Sequence, residues 1–551
     1  MNWLSTFNKR LNHVLFQKVD ATGLAVFRIC FSFVLILQVA MFFRFKHMIF
    51  DRIPFEYVGE IEPNLMLGFW MTSVICLFLG LFTKPASVVN YCFAVVVLSS
   101  NKQWEVHVFY SYVGICFLMM FMPLGKRFSL DNLIDKFKYS TLNKIYEPNY
   151  LVSAVNYIAP IFMGIGLMYF DSVFFKLDTY MWTHSIGMWM PATIPAATWT
   201  DTSFILNQEY LVKFLNYFVI VFEALFIILM WSKPFRLPLS IIGIGFHIGI
   251  GITYPIPYFA AAYISMYLLL LPLWVWEKSG SFFEKFWQFP APPLQITDKA
   301  GLNAAIIYDH FLSPRRFTNN DPNALHVLPS LPAQTFFRWQ WKSIFLVIIG
   351  LQIIISWFSP YIKTLRKDFP FRPINVLTQR VMEPLYLSLR GLSTKYLGVT
   401  HHGVFVDYHF KGFNHIFRAE FVDNKGKVFH VPILDKNGLV DDLVIEQTWR
   451  NIAFETITQN VRQNVFEPNI KLFLLQYFYE YRPHNKEGYF KLYGKYIKVA
   501  KEWEHDMLKK NMEAPWIDLG TCQFKGSQLI FDWNQNMLDI LEKEKRDPYG
   551  P

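Results

Sequence analysis

Charge is what this chain has least of. Charged residues make up 17% of the 551 positions, where a soluble protein carries roughly 25%. Cysteine is scarce too, with five in all. Cys30, Cys76, Cys92 and Cys116 lie in apolar runs and Cys522 stands alone near the C-terminus. No CxxC pair occurs, which excludes a disulfide framework outside the membrane; the first four read as small buried hydrophobes. His401-His402 is a pair without a third ligand nearby, which argues against a zinc site. There is no GxSxG, no P-loop and no GxGxxG opening a helix. No basic helix or glycine-lysine cluster stands out, which argues against nucleic acid. Internal repeats and low-complexity tracts are missing. The first apolar run begins near Gly23, is of spanning length and lacks a small-residue cleavage site, so no cleavable signal peptide is expected.

Hydrophobic residues, by contrast, are 53% of the chain and aromatics 18%. Several apolar runs reach about 18 residues or more, the signature of a polytopic membrane protein. The formal charge of +10 suits a protein beside anionic lipid. Residues 1–22 place Trp3, Phe7, Leu11 and Leu15 at helical spacing beside Lys9, Arg10 and Lys18, as in an interfacial helix. Candidate spans follow at 23–43, 65–82, 86–100, 107–123, 150–175, 211–231, 237–254, 258–276 and 344–362, about nine in all. The run 86–100 is short, and so tilted or partly re-entrant. Residues 177–210, rich in Trp, Met, Thr and Pro, read as an interfacial lid. Residues 277–341 read as a polar, proline-bearing loop.

With nine spans, Lys9, Arg10, Lys18, Lys84, the 126–144 cluster, Lys233, Arg236, Lys278, Lys285, Lys299, Arg315 and Arg316 fall on one side. Arg44, Lys46, Arg52, Lys102 and Lys176 fall on the other, in a stretch that also carries Glu56, Glu60 and Glu62. The positive-inside rule then makes the N-terminus cytoplasmic and the chain after residue 362 extracytoplasmic. The expected fold is an α-helical polytopic membrane domain, 23–362, followed by a soluble α+β domain with antiparallel β-strands, 363–551. In that domain 404–410, 416–422, 428–434 and 470–481 read as strands, 424–427 as a turn, and 489–510 as an amphipathic helix.

Four ionisable positions carry chemical interest. Lys176, in Phe174-Phe175-Lys176-Leu177-Asp178, closes a long apolar run; a charge there marks function or snorkels to the headgroups. Arg28 lies inside the first run and needs a buried partner unless it snorkels too. His107, in Trp104-Glu105-Val106-His107, is either a proton carrier or an interfacial histidine beside a belt tryptophan. His247 sits mid-run in Gly245-Phe246-His247-Ile248-Gly249, either functional or holding an interhelical hydrogen bond.

Together these strings resemble a known family. Leu24-Ala25-Val26-Phe27-Arg28, after Asp20-Ala21, looks like the first-span signature of the vitamin K-dependent γ-glutamyl carboxylase family. Trp104-x-x-His107 is similar to its Trp-Asn-Asn-His element, with Glu105-Val106 in place of Asn-Asn. Lys176-Leu177-Asp178 matches its Lys-Lys-Leu-Asp element, with Phe175 at the first lysine. Phe246-His247 resembles a later Phe-His, and Ser129-Leu130-Asp131 falls in order between the second and third strings. The wider group includes bacterial proteins with the horizontally transferred transmembrane (HTTM) domain. The resemblance covers residues 20–280 and weakens beyond 344.

What the resemblance implies is a quinol chemistry. A lysine deprotonates vitamin K hydroquinone, O2 adds, and the oxygenated quinone removes a γ-proton from glutamate; CO2 traps the carbanion and the epoxide leaves. Lys176 would be the base, with His107 and His247 as proton partners or positioning groups. Trp104, Phe175 and Trp182 would line the quinone head-group pocket. Arg28 would be a buried structural charge, and Asp178, two residues from Lys176 and on a different side of a helix, an orienting one. The implied cofactors are vitamin K hydroquinone or menaquinol, O2 and CO2, with no metal. Membrane lipid and a glutamate-containing peptide are the implied partners, and a bacterial inner membrane the location. The rival is a non-catalytic scaffold that binds lipid or quinone and presents residues 363–551 to a partner. A transporter is disfavoured, because two corresponding broken helices are missing.

Overall fold

The computed structural model describes residues 2–51, 62–98, 106–142, 145–286, 298–312, 331–368, 372–410, 415–452, 463–482, 487–525 and 528–537, together with Phe55, Trp104 and Asp539. Arg52, Glu56, Glu60, Lys102, Glu105, Lys144, Arg315 and Arg316, which entered the charge reading, lie outside the described residues. The chain is mostly helical, with a sheet in its C-terminal part. Helix α1 (Asn2–Phe16) leads to strand β1 (Lys18–Asp20) and α2 (Thr22–Arg44). Next come α3 (Pro63–Leu79), α4 (Thr83–Leu98), α5 (His107–Met119) and α6 (Leu130–Tyr139). Strand β2 (Leu151–Ser153) pairs antiparallel with β1 and feeds α7 (Val155–Lys176). Helices α8 (Glu209–Leu229), α9 (Lys233–Thr253) and α10 (Pro257–Leu270) follow, then α11 (Leu273–Phe286), α12 (Lys299–Leu312) and α13 (Leu331–Ser356).

Among the described residues five helices are long and apolar enough to cross a membrane: α2, α7, α8, α9 and the Thr335–Ser356 part of α13. Nine is not reached by that measure. Helices α3, α4 and α5 are apolar but shorter than the roughly 20 residues a lipid core demands. The run read as 258–276 is broken: α10 and α11 meet at a bend of 107°, beside Pro272, which has no N–H to continue the ladder. A milder break inside α7 has the same cause. Pro160 removes one backbone donor, and the turn that follows, Phe162–Gly166, widens to π geometry.

Arg28 ties the bundle together. It is fully buried, and its guanidinium donates to the carbonyls of Leu124 (2.8 Å), Arg127 (3.2 Å) and Phe128 in the turn after α5. That turn closes on Gly80, which ends α3 at φ +68°; a Cβ there would sit 2.4 Å from Ser129 Cβ and 2.7 Å from Arg28 Nη1. A side chain at Gly80 would therefore be strained and displace the arginine.

Residues 177–210 form no span. They fold into short turns (Tyr180–Thr183, Pro191–Thr193, Pro195–Ala197, Ser203–Leu206) that bury Trp182, Trp189, Met190 and Ile194. The segment expected to be a polar loop, 277–341, instead holds much of α11, all of α12 and the start of α13. After α13 come α14 (Pro360–Asp368) and a long helix α15 (residues 372–397) with two π turns, so helix continues well past the expected boundary at 362.

The sheet has the order β4-β3-β5-β6-β7, all antiparallel. Its strands are β3 (His415–Asp423), β4 (Val428–His430), β5 (Gly488–Tyr496), β6 (Ile517–Lys525) and β7 (Gln528–Trp533). Strand β3, the turn at 424–427 and the first half of the returning strand match the alternation read from the sequence; Pro432 stops β4 early. Three readings are corrected. Residues 470–481 are not a strand but part of helix α16 (Gln463–Tyr481), which buries Phe466, Ile470, Phe473, Leu474, Tyr477 and Phe478 at helical spacing against the sheet. An apolar run of that kind has no periodicity of its own. Residues 489–510 are not one helix: β5 occupies 488–496 and the short α17 (Met507–Glu513) follows. Lys491, Lys495 and Lys498 suit a helix face as well as a strand. Residues 404–410 form an irregular strip ending in one helical turn, Asp407–Phe410, rather than a strand.

Replacing Arg28 with methionine leaves those carbonyls buried without a donor, at roughly 2–4 kcal/mol. Purified Arg28→Met protein should melt well below wild type in detergent, by tryptophan fluorescence. An unchanged melting temperature would mean that the turn holds without the arginine.

Candidate active site

Helices α5, α7, α8, α9 and α10, the lid and the C-terminal part enclose one cavity of about 330 Å³, within the roughly 300–1,000 Å³ typical of small-molecule pockets. Its wall is mainly apolar and aromatic: Met168, Phe246, Ile250, Phe259, Tyr254 and Trp449 among others. Lys176, His107, His247 and Trp182 all line it, so three distant stretches of the sequence meet in one chamber.

Lys176 closes α7 and is 5% exposed. Its ammonium position bonds Glu223 of α8, which is equally buried. The Nζ also sits 4.6 Å over the Trp182 ring, and Trp182 Nε1 donates to Phe405 O at 2.7 Å. Burying one charge here would be prohibitive; burying an opposed pair is far less so. Asp178 is not the partner. It accepts from Thr364 Oγ1 at 3.2 Å, away from the cavity.

His247 packs face to face on Tyr263 (4.7 Å, 12°), and its Nε2 is 3.1 Å from Tyr169 Oη. Tyr169 Oη in turn lies 2.8 Å from Tyr267 Oη, and Tyr263 Oη lies 2.8 Å from Ser111 Oγ. The interhelical bond expected as one alternative for His247 is therefore present, and its Nδ1 remains unpartnered within the cavity wall. His107 opens α5, and its ring centroid is 6.4 Å from that of His409. Its Nδ1 and that of His402 are likewise unpartnered.

Of the other residues singled out from the sequence, Trp104 is buried but does not line the cavity. Phe175 packs edge-on against His401 (5.4 Å) and is also outside it. Arg28 is remote, in the turn described above.

Several cavity residues were not singled out. Glu223 was legible in principle: an acid in the middle of the apolar run 211–231 demands a buried partner. Asp171 carried the same signal. It is fully buried in α7 and accepts from Ser356 Oγ (2.7 Å) and from the backbone N–H of His402 (2.7 Å). His402 stood out only as half of the His401-His402 pair read against a zinc site, and His409, Trp449 and Arg450 carried no local signal; all four come from the C-terminal part folded over the helices.

Two further carboxylates fix that roof. Asp407 accepts from the N–H groups of Tyr180 (2.6 Å) and Met181 (2.9 Å) in the lid. Glu446 accepts from Tyr258 N (2.6 Å) and Phe259 N (3.1 Å) at the start of α10. Burial holds the His402 imidazole down to about 4, and that of His409 to about 3, so both are neutral at pH 7. Burial acts oppositely on Glu446, raising its carboxyl to about 8. Among the described residues no cluster of three or more metal-ligating side chains occurs. Compared with protein-family models, curated proteins and solved structures, the chain matches none.

The sign of the Glu446 effect is fixed by its raised value. Between about 4.5 and 8 the folded chain holds a proton that the unfolded chain has released, so stability is greatest below about 4.5 and declines as pH rises toward 8. Thermal melts from pH 5 to pH 8 should show that decline in wild type and a shallower one in Glu446→Gln. Parallel curves for the two proteins would remove Glu446 as its source.

Proposed function

We propose that this chain is a membrane-embedded enzyme of the vitamin K-dependent carboxylase type, in which Lys176 deprotonates a bound quinol. The carrying observation is the buried Lys176–Glu223 pair on the wall of a mainly apolar, aromatic-lined cavity. Such a site offers an acceptor for a hydroxyl proton and a dry slot for a flat ring, the two things a quinol requires. The unpartnered Nδ1 atoms of His107, His247 and His402 on the same wall are hydrogen-bond positions for its two oxygens. A bound quinol supplies the electrons that reduce O2 and, once oxygenated, the base for a glutamyl γ-proton, with CO2 as the group added.

The chain's own residues handle the first proton. An ammonium is not a base, and the pair resolves this. As the substrate hydroxyl gives its proton to Nζ, Nζ passes one to Glu223 Oε1, and the net proton gain falls on the carboxylate. An ammonium then remains beside the substrate oxygen, in a medium where that attraction is strong. Trp182 under Nζ favours the cationic form by its ring face. His247, held by Tyr169, and His107 position the ring.

The same reading places the protein in a bacterial inner membrane, with the N-terminus cytoplasmic and the C-terminal part outside. It counts the bent α10–α11 pair and the shorter α3, α4 and α5 as crossings beside the five long helices, nine in all. A glutamate-containing peptide is the second substrate.

Purified protein in detergent, given reduced menaquinone or vitamin K under air, should form quinone epoxide. Lys176→Ala should lower the rate by roughly 10²–10⁴, the usual worth of a positioned base, and Glu223→Gln should lower it too, both at a retained fold. No epoxide from well-folded wild type, with or without a glutamate-rich peptide, would favour the scaffold reading, in which the cavity binds a lipid or quinone without turnover.

A further inference from the structure

Helix α15 exposes large apolar side chains among the described residues. Val376, Leu377, Val381, Leu385, Leu387, Leu392 and Tyr396 are 40–70% exposed along it. It follows the last long apolar helix and is tied to its end. Trp357 Nε1 donates to Thr378 Oγ1 at 3.0 Å, and Phe358 stacks on Tyr386 at 4.6 Å. At its other end Gly398, at φ +66°, lies so close to α5 that a Cβ would come within 1.9 Å of Tyr110 O. Between these two anchors the helices part. A groove of about 780 Å³ opens there, lined by Tyr91 and Phe117, by Leu346, Gly350 and Ile354 of α13, and by Leu389, Leu392 and Leu397 of α15.

Charge is unbalanced along the chain that ends at this groove. Residues 360–397 carry Lys363, Arg366, Lys367, Arg372, Arg380, Arg390 and Lys395 against Asp368 and Glu383. Arg390 and Lys395 follow or precede groove-lining residues directly, and both are exposed. The neighbouring surface of α13 exposes Leu346, Val347 and Ile353, on a helix long and apolar enough to cross a membrane. Cations beside a hydrocarbon-facing surface call for an anion of the lipid layer.

We infer that this groove seats an acyl chain of one anionic phospholipid, whose headgroup meets Arg390 and Lys395. The site is separate from the quinol cavity and does not rest on the catalytic reading. It also has a route to that cavity. The strip that begins at Gly398 carries His402, Phe405 and His409, all cavity residues. A lipid that holds α15 against α5 and α13 thereby holds the roof of the chamber.

The test is native mass spectrometry of the full chain in detergent, with phosphatidylglycerol and phosphatidylcholine of the same acyl chains added singly. Wild type should retain phosphatidylglycerol about tenfold better, and Arg390→Glu with Lys395→Glu should remove that preference. Gly350→Phe provides the second, uncharged test. A Cβ at Gly350 meets no atom within 4 Å, so the ring can fill the groove without forcing the backbone. It should lower retention of both lipids. Equal retention of the two lipids by wild type, or a Gly350→Phe protein that retains them as wild type does, overturns the proposal. A tightly retained quinone in place of phospholipid would overturn it as well.

Discussion

A lysine and a glutamate paired away from water set the terms for the whole molecule. Lys176 and Glu223 stand on two different apolar helices, α7 and α8, where either charge alone would be too costly to keep. The pair is stable only while water stays out and both side chains stay in place. Much of the surrounding architecture meets that condition. Trp182 caps the ammonium, the lid packs its tryptophans inward, and the C-terminal part covers the remaining opening.

That cover is attached by one repeated device. Three carboxylates, Asp171 and Glu446 fully buried and Asp407 half-buried, accept backbone N–H groups from across the boundary between helical body and C-terminal part. Asp407 reaches the lid, Glu446 the first turn of α10, and Asp171 the N–H of His402. Asp407 and Glu446 satisfy donors at helix starts, where four N–H groups otherwise lack partners and the helix dipole favours negative charge. A cap supplied by the neighbouring element couples helix formation to docking. Arg44 at the end of α2 adds a salt bridge with Glu480 and Asp442 on the same seam.

How much of this could be read from the chain follows from the range of each signal. Apolar runs and their breaks are local, so α2, α7, α8 and α9 were legible, as were β3 and its turn. The strings holding Lys176, His107 and His247 were legible because an ionisable group in an apolar run is conspicuous. Glu223 and Asp171 met the same criterion and were passed over because they lay inside runs already assigned as spans. The α16 segment failed for a different reason. Its core, Leu472 to Phe478, is a nearly unbroken apolar run, and its aromatics, Phe473, Tyr477 and Phe478, fit a strand equally well. The places of His402, His409 and Arg450 were beyond any local reading, since only the fold brings them within reach of residues some 300 positions earlier.

The division of labour within the cavity follows from that same geometry. The Lys176–Glu223 pair and the ring-stacked His247 belong to the helical body. The roof contributes different chemistry: two neutral imidazoles, an indole and a guanidinium, on loops and short helical turns between His402 and Arg450. Irregular segments change sequence with less cost to the fold than spanning helices do. The helical body therefore holds the buried ion pair, and the roof completes the wall of the chamber around it. A resemblance confined to residues 20–280 bears on the first of these and not on the second. That second part of the wall, His402, His409 and Arg450, is positioned by chain that the carboxylates Asp171, Asp407 and Glu446 tie to the helices.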